Sequence, residues 1–177
     1  MRRALPFAVA VLALSTAASA ALVPGAKAPD FATRGAVAGK VIDVKLAPAL
    51  KRGPVVLYFF PAAFTSGCNA EARAFAEKVA AFKAAGATVI GMSADSVADL
   101  QKFSATECAG KFAVASAGPR VIQGYDVAMG RQLNGRDITN RVSYVIARDG
   151  RIVYAHAGND PVEHVTQTLA AVEKLKR

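Results

Sequence analysis

Sulfur and imidazole are scarce in this chain: of its 177 residues only two are cysteine and two are histidine. The cysteines, Cys68 and Cys108, form no CxxC pair. Together with the separated His156 and His164 they offer no recognisable ligand spacing, so neither a metal nor another cofactor is expected. Nor do the basic residues that give a formal charge of +9 cluster into a patch or accompany a nucleic-acid motif. Their scatter points to solubility rather than to a nucleic-acid partner. A long apolar run is missing as well. The longest lies inside the first twenty residues, MRRALPFAVAVLALSTAASA, and is short of the ~20 residues that a bilayer span needs. No stable membrane insertion is expected.

That same segment carries two arginines, an apolar centre and the small-x-small ending Ala18-Ser19-Ala20, the pattern of a signal peptide. Residues 1–20 are therefore expected to be cleaved after Ala20, which removes Arg2 and Arg3 and leaves the mature chain basic. Residues 21–177 then form a single domain of an exported protein, periplasmic or secreted. With 53% apolar residues it has ample material for one core.

Periodicity supplies the elements. After a Pro/Gly/Ala-rich lead-in over residues 21 to 34, read as loop or a short edge segment, Gly39 to Leu46 alternates apolar and polar as a half-buried strand does. Lys51-Arg52-Gly53-Pro54 reads as a turn. Val55 to Phe60 is apolar without alternation, as in a central strand covered on both faces. From Thr65 the period becomes helical, with Ala72, Phe75, Val79 and Phe82 on one side until Gly86. Thr88 to Met92 reads as another buried strand, and a helix capped by Asp95 or Ser96 carries Leu100, Ser104 and Cys108 along one side. Lys111 to Ser116 is a short strand. Residues 117 to 140 are low in pattern, with a helical turn near Tyr125 and a loop or hairpin tip at Asn134-Gly135, and residues 142 to 155 form the clearest hairpin, around Asp149-Gly150. A helix with Val165, Leu169, Val172 and Leu175 on one stripe ends the chain. This order predicts an α/β fold, a mixed central sheet with helices on both faces.

One junction stands out. Cys68 follows the central strand and falls in the first turn of the next helix, capped by Thr65 or Ser66, where unpaired amides and the helix dipole favour an anion. Such positions lower a cysteine pKa from ~8.5 to between about 3.5 and 7.5 and make the thiol a nucleophile while solvent keeps access to it. Pro61 ends strand pairing and stiffens the entry loop.

The segment Pro61-x-x-x-Thr65-x-x-Cys68 resembles the PxxxTxxC signature of the peroxiredoxins, thiol peroxidases of thioredoxin-like fold. GAKAPDF, VVLYFFP, VIGMSADS and RVSYVIARDGRI resemble that family's opening loop, pre-site strand, following strand and late hairpin, in the right order, and the likeness is greatest to the Q-type group. The resemblance implies that Cys68 attacks a peroxide and becomes a sulfenic acid. It implies that Thr65 offers its hydroxyl to the peroxide, that Pro61 shields the pocket and that Arg141 holds thiolate and substrate. Glu71 would orient that arginine or, as a helix-face charge, be merely solvated. His156 and His164 are read as surface or structural residues.

Cys108 leaves alternatives open. Q-type members often carry a resolving cysteine five residues after the nucleophile, but here that position is Arg73. The resemblance allows a resolving cysteine on the next helix, where Cys108 would form an intramolecular disulfide reduced by a thioredoxin-like or other thiol reductant. Otherwise Cys108 is a core residue, with Cys68 resolved by an external thiol, or the two are permanently bonded. The expected substrate is hydrogen peroxide or an organic hydroperoxide, and the expected assembly is a monomer or weak dimer. A thioredoxin-like disulfide oxidoreductase is disfavoured by the missing CxxC. A redox-inert binding module is the non-enzymatic alternative.

Overall fold

A computed structural model describes residues 21–175. The expected signal peptide lies outside the described residues. Along the chain run β1 (Ala32–Val37), β2 (Lys40–Lys45), α1 (Leu46–Arg52), β3 (Val55–Phe59), α2 (Ser66–Ala84), β4 (Thr88–Ser93), α3 (Val97–Thr106), β5 (Ala113–Ser116), α4 (Pro119–Gly124), β6 (Ala128–Leu133), β7 (Arg136–Thr139), β8 (Val142–Ile146), β9 (Ile152–Ala157) and α5 (Pro161–Leu175).

Seven strands make one sheet in the order β2-β1-β5-β4-β3-β8-β9, and β6 and β7 make a separate hairpin. Strands β3, β4 and β5 are parallel, whereas β8 joins β3 and β1 joins β5 antiparallel. The sheet is mixed, as the sequence indicated. All five residues of β3 are buried because both faces are covered. Val55, Leu57 and Phe59 pack into one core with α1 and α4. Val56, Tyr58 and Phe60 pack into another with residues of α2, α3 and α5. Strand alternation thus assigns every second residue of one segment to a different core.

Three local expectations need correction. The lead-in contains strand β1, which turns through Ala38 and Gly39, both at positive φ, into β2. Its composition is weak for a strand, but Gly35 lets it approach β5, since a Cβ there would stand 2.3 Å from the Val114 carbonyl oxygen. The expected turn at residues 51–54 follows a short helix, α1, whose Leu46, Ala49 and Leu50 face the core. Asp30 accepts from the Ala47 amide at 3.1 Å and so caps α1 from a remote segment. Finally, α3 stops at Thr106, so Cys108 sits beyond it in a turn that reverses through Ala109 and Gly110, both at positive φ.

Candidate active site

The loop between β3 and α2 is held from below. The Phe60 amide bonds to the Met92 carbonyl at 3.0 Å and the Phe60 carbonyl accepts from Thr139 Oγ1 at 2.8 Å. Asp95 Oδ2 accepts from the Ala63 amide and from Ser93 Oγ, each at 2.7 Å, while Arg136 Nη2 donates to Oδ1 at 2.9 Å. One buried carboxylate therefore fixes the loop to the end of β4 and to the β6–β7 hairpin. Phe64, at φ 65°, stays 47% exposed and lies edge-on against Phe103.

Thr65 is the N-cap residue of α2 by backbone conformation, but its side chain makes no capping bond. Instead Oγ1 donates to the Ala62 carbonyl at 2.9 Å, closing the loop on itself. The first amide of α2 to reach back is that of Asn69, bonded to the Thr65 carbonyl at 2.9 Å. The amides of Ser66, Gly67 and Cys68 precede that bond, and Cys68 lies in this opening turn as expected. Contrary to the sequence reading, its side chain is closed off, at 1% exposure.

Arg141 enters from the segment before β8. Its side chain is 9% exposed, with Nη2 3.6 Å from Cys68 Sγ and Nη1 donating to Glu71 Oε2. Gly67 makes this approach possible, because a Cβ there would stand 3.1 Å from Nη2. Glu71 is fully buried, so the reading of a solvated helix-face charge is wrong. Burial raises its pKa to about 8, against the lowering effect of Arg141. Its second oxygen, Oε1, has no hydrogen-bond partner.

His164 of α5 faces that oxygen, with Nδ1 3.9 Å away. The ring is fully buried rather than at the surface. Its Nδ1 pairs with Ser143 Oγ at 2.8 Å and its Nε2 with the Gly158 carbonyl at 3.1 Å. Desolvation lowers its pKa to about 4 despite the Gly158 carbonyl. Sequence reasoning gave no part in the site to Ser143 and Gly67, read Asp95 only as a candidate helix cap, and read His164 only as a surface or structural residue. A signal existed for His164, which precedes Val165 on a stripe continued by Thr168 and Val172, the positions that α5 buries.

Cys108 is also fully buried, and both cysteines are free thiols in the same apolar core. Burial, and secondarily the neighbouring Glu107, pushes the Cys108 thiol far up. Arg73, at the position where a nearer resolving cysteine was sought, pairs with Glu107 at 2.8 Å and ties α2 to the turn carrying Cys108. Tyr58 lies in the same core, stacked on Phe75, with its hydroxyl unpartnered. Pro61 lines a small crevice with Asp95 and Arg136. The structure thus gathers Cys68, Arg141, Glu71 and His164 into one buried group, with Thr65 exposed at its rim. Among the described residues no cluster of three or more metal-ligating side chains occurs, and no helix is long and apolar enough to cross a membrane.

Comparison with known proteins converges on one lineage. The profile of the AhpC/TSA family matches residues 24–155. The chloroplastic peroxiredoxin Q of Oryza sativa subsp. japonica is 31% identical over 152 residues, covering 85% of this chain and 67% of that protein. Among solved structures, peroxidoxin BcpB from Mycobacterium tuberculosis superposes with a TM-score of 0.76 at 26% identity, covering 86% of this chain and 97% of the other. Xanthomonas campestris peroxiredoxin Q gives 0.69 at 25% identity, covering 81% and 91%. The chain therefore belongs to the AhpC/TSA family: it has the thioredoxin-like fold of the peroxiredoxins and is a thiol-dependent peroxidase of their Q type.

Proposed function

We propose that Cys68 is the peroxide-reducing nucleophile of an exported enzyme. The observation that carries this reading is the placement of its sulfur in the opening turn of α2, 3.6 Å from the Arg141 guanidinium. The start of a helix and a guanidinium donor are both settings that favour an anion. The thiolate attacks the terminal oxygen of a hydroperoxide. An S–O bond forms as the O–O bond breaks, and the departing oxygen takes up a proton to leave as water or alcohol. Arg141 stabilises the charge moving onto that oxygen. Thr65 at the rim positions the peroxide through its hydroxyl, and Pro61 keeps the loop closed to water.

The sulfenic acid is then consumed by a thiol. With Cys108, the new S–S bond releases water and the disulfide is reduced by an external dithiol such as a thioredoxin-like protein. Both sulfurs are buried in the reduced state, so the Cys108 turn has to open locally first. Its positive-φ reversal through Ala109 and Gly110 lies outside any helix or strand. Without Cys108 an external thiol performs the same step. The substrate is hydrogen peroxide or an organic hydroperoxide, the signal-like first twenty residues direct the chain to the periplasm or outside the cell, and it acts as a monomer or weak dimer.

The test is sulfenic-acid trapping with a dimedone-type reagent after stoichiometric peroxide. The adduct is expected at Cys68 alone and to accumulate in Cys108→Ser. Undiminished peroxide consumption by Cys68→Ser would end the proposal.

A further inference from the structure

Two groups in the buried site, the Cys68 thiol and the Glu71 carboxyl, share the Arg141 guanidinium, and the hydrogen bonds around them decide which draws on its charge. Arg141 is the cation that touches both Cys68 Sγ and the Glu71 carboxylate. If Glu71 were ionised, it would neutralise the charge that the sulfur needs. Its surroundings argue against that. Oε2 receives the Arg141 donor, but Oε1 is buried with no donor directed at it.

Nδ1 of His164 faces Oε1 at 3.9 Å. Which ring nitrogen bears the proton follows from the other side of the ring. Nε2 lies 3.1 Å from the Gly158 carbonyl oxygen, which can only accept, so Nε2 carries the hydrogen. In the neutral ring Nδ1 then bears a lone pair, which receives the Ser143 hydroxyl at 2.8 Å. Glu71 Oε1 therefore looks onto a proton-free nitrogen. A buried ionised carboxylate with one oxygen lacking a donor carries the cost of a poorly compensated charge, whereas the neutral acid leaves only an unpaired hydroxyl, which costs far less.

We propose that Glu71 acts as a neutral carboxylic acid, kept so by the Nε2-protonated His164, and thereby leaves the Arg141 charge whole for Cys68 and its substrate. His164 is a positioning residue in this scheme. The inference rests on the assignment of Cys68 as the reacting thiol. The titratable and charged groups that bear on the pair come from each packed element. Cys68 belongs to α2 itself, Tyr58 to β3, and Arg141 leads into β8. His156 of β9 stacks edge-on against His164 and faces Glu163, and Asp160 lies at the head of α5.

Nitrogen-15 NMR of the imidazoles in the reduced full chain tests the first half, with His156→Asn to assign the two rings. His164 is expected as the neutral, Nε2-protonated tautomer across neutral pH. An imidazolium there, paired with an ionised Glu71, overturns the proposal without any change to the site. The second half is read from Glu71→Gln, whose amide reproduces a neutral acid. Its Cys68 alkylation profile is expected within about 0.3 pH units of wild type, because no charge has been removed. A displacement of about one unit or more to lower pH would show that an anion had been lost, and would sink the proposal. In wild type the peroxide rate should also fall about tenfold on the alkaline side, as Glu71 ionises and takes up the Arg141 charge, and Glu71→Gln should lack that fall. If these outcomes fail while Cys68→Ser still abolishes peroxide consumption, only the Glu71 assignment falls. If Cys68→Ser consumes peroxide normally, both do.

Discussion

The two faces of the central sheet share strands and differ in chemistry. On the α1 and α4 face, Val55, Leu57, Phe59, Tyr125, Tyr144 and Ile146 form a core whose polar atoms are matched. The Tyr125 hydroxyl donates to the Pro29 carbonyl and that of Tyr144 to the Tyr125 carbonyl, each at 2.7 Å. The α2, α3 and α5 face is equally buried but holds both cysteines. There Glu71, His164 and Ser143 are fully enclosed, and the hydroxyl of Tyr58 and one oxygen of Glu71 have no partner. The first face is built for stability. The second keeps polar groups in a dry setting, where each charge is felt more strongly and each missing partner is costly.

The sharpest way to test this contrast is to remove the one guanidinium at the thiol. Arg141→Met is expected to lower the second-order rate with peroxide by about a hundredfold to a thousandfold. Stopped-flow kinetics would show it. Tyr125→Phe, on the opposite face, should leave that rate unchanged.

Next in size is the pH dependence of stability. The folded-state pKa of His164 is depressed from 6.5 to about 4 by desolvation. The neutral ring therefore contributes stability that is present above the unfolded pKa and lost as pH falls through the folded value. Wild type should lose about 3 kcal/mol of unfolding free energy in that window relative to His164→Asn. Urea titrations at several pH values would measure it. Glu71 has the opposite sign: its raised pKa means stability present at low pH and lost as pH climbs toward about 8.

The smallest difference separates two tyrosines. Tyr125→Phe removes a satisfied buried hydrogen bond and should cost about 1 kcal/mol, leaving the Pro29 carbonyl without its donor. Tyr58→Phe removes a hydroxyl with no partner and should be neutral or stabilising by up to about 1 kcal/mol. Equal losses in thermal unfolding would mean that the two faces treat polar atoms alike.

Legibility in the sequence followed the range of the interaction. Strand β3, helix α2 and the β8–β9 hairpin were readable because their patterns lie within a few consecutive residues, and so was Cys68 at the strand–helix junction. Strand β1 was not, because its composition is weak for a strand and its place inside the sheet depends on Gly35 approaching Val114, 79 positions later, while its other edge pairs with β2. Helix α1 was missed for a similar reason, its first turn being capped by Asp30 from another segment. The exposure of Cys68 was misjudged, and the choice between a surface and a structural His164 stayed open, because burial depends on what packs above a helix face.

By itself, then, the sequence determined the order of elements, the thiol in the first turn of α2 and the arginine that leads into β8, since each follows from local periodicity or from a short motif. Tertiary structure decided which groups meet that thiol. Glu71 could be a solvated charge or a buried acid on the same helix, and only the packing of α5 and β8 over it closes out water. Removing solvent turns an ordinary carboxylate and imidazole into neutral partners of a single cation, and no local pattern encodes that change.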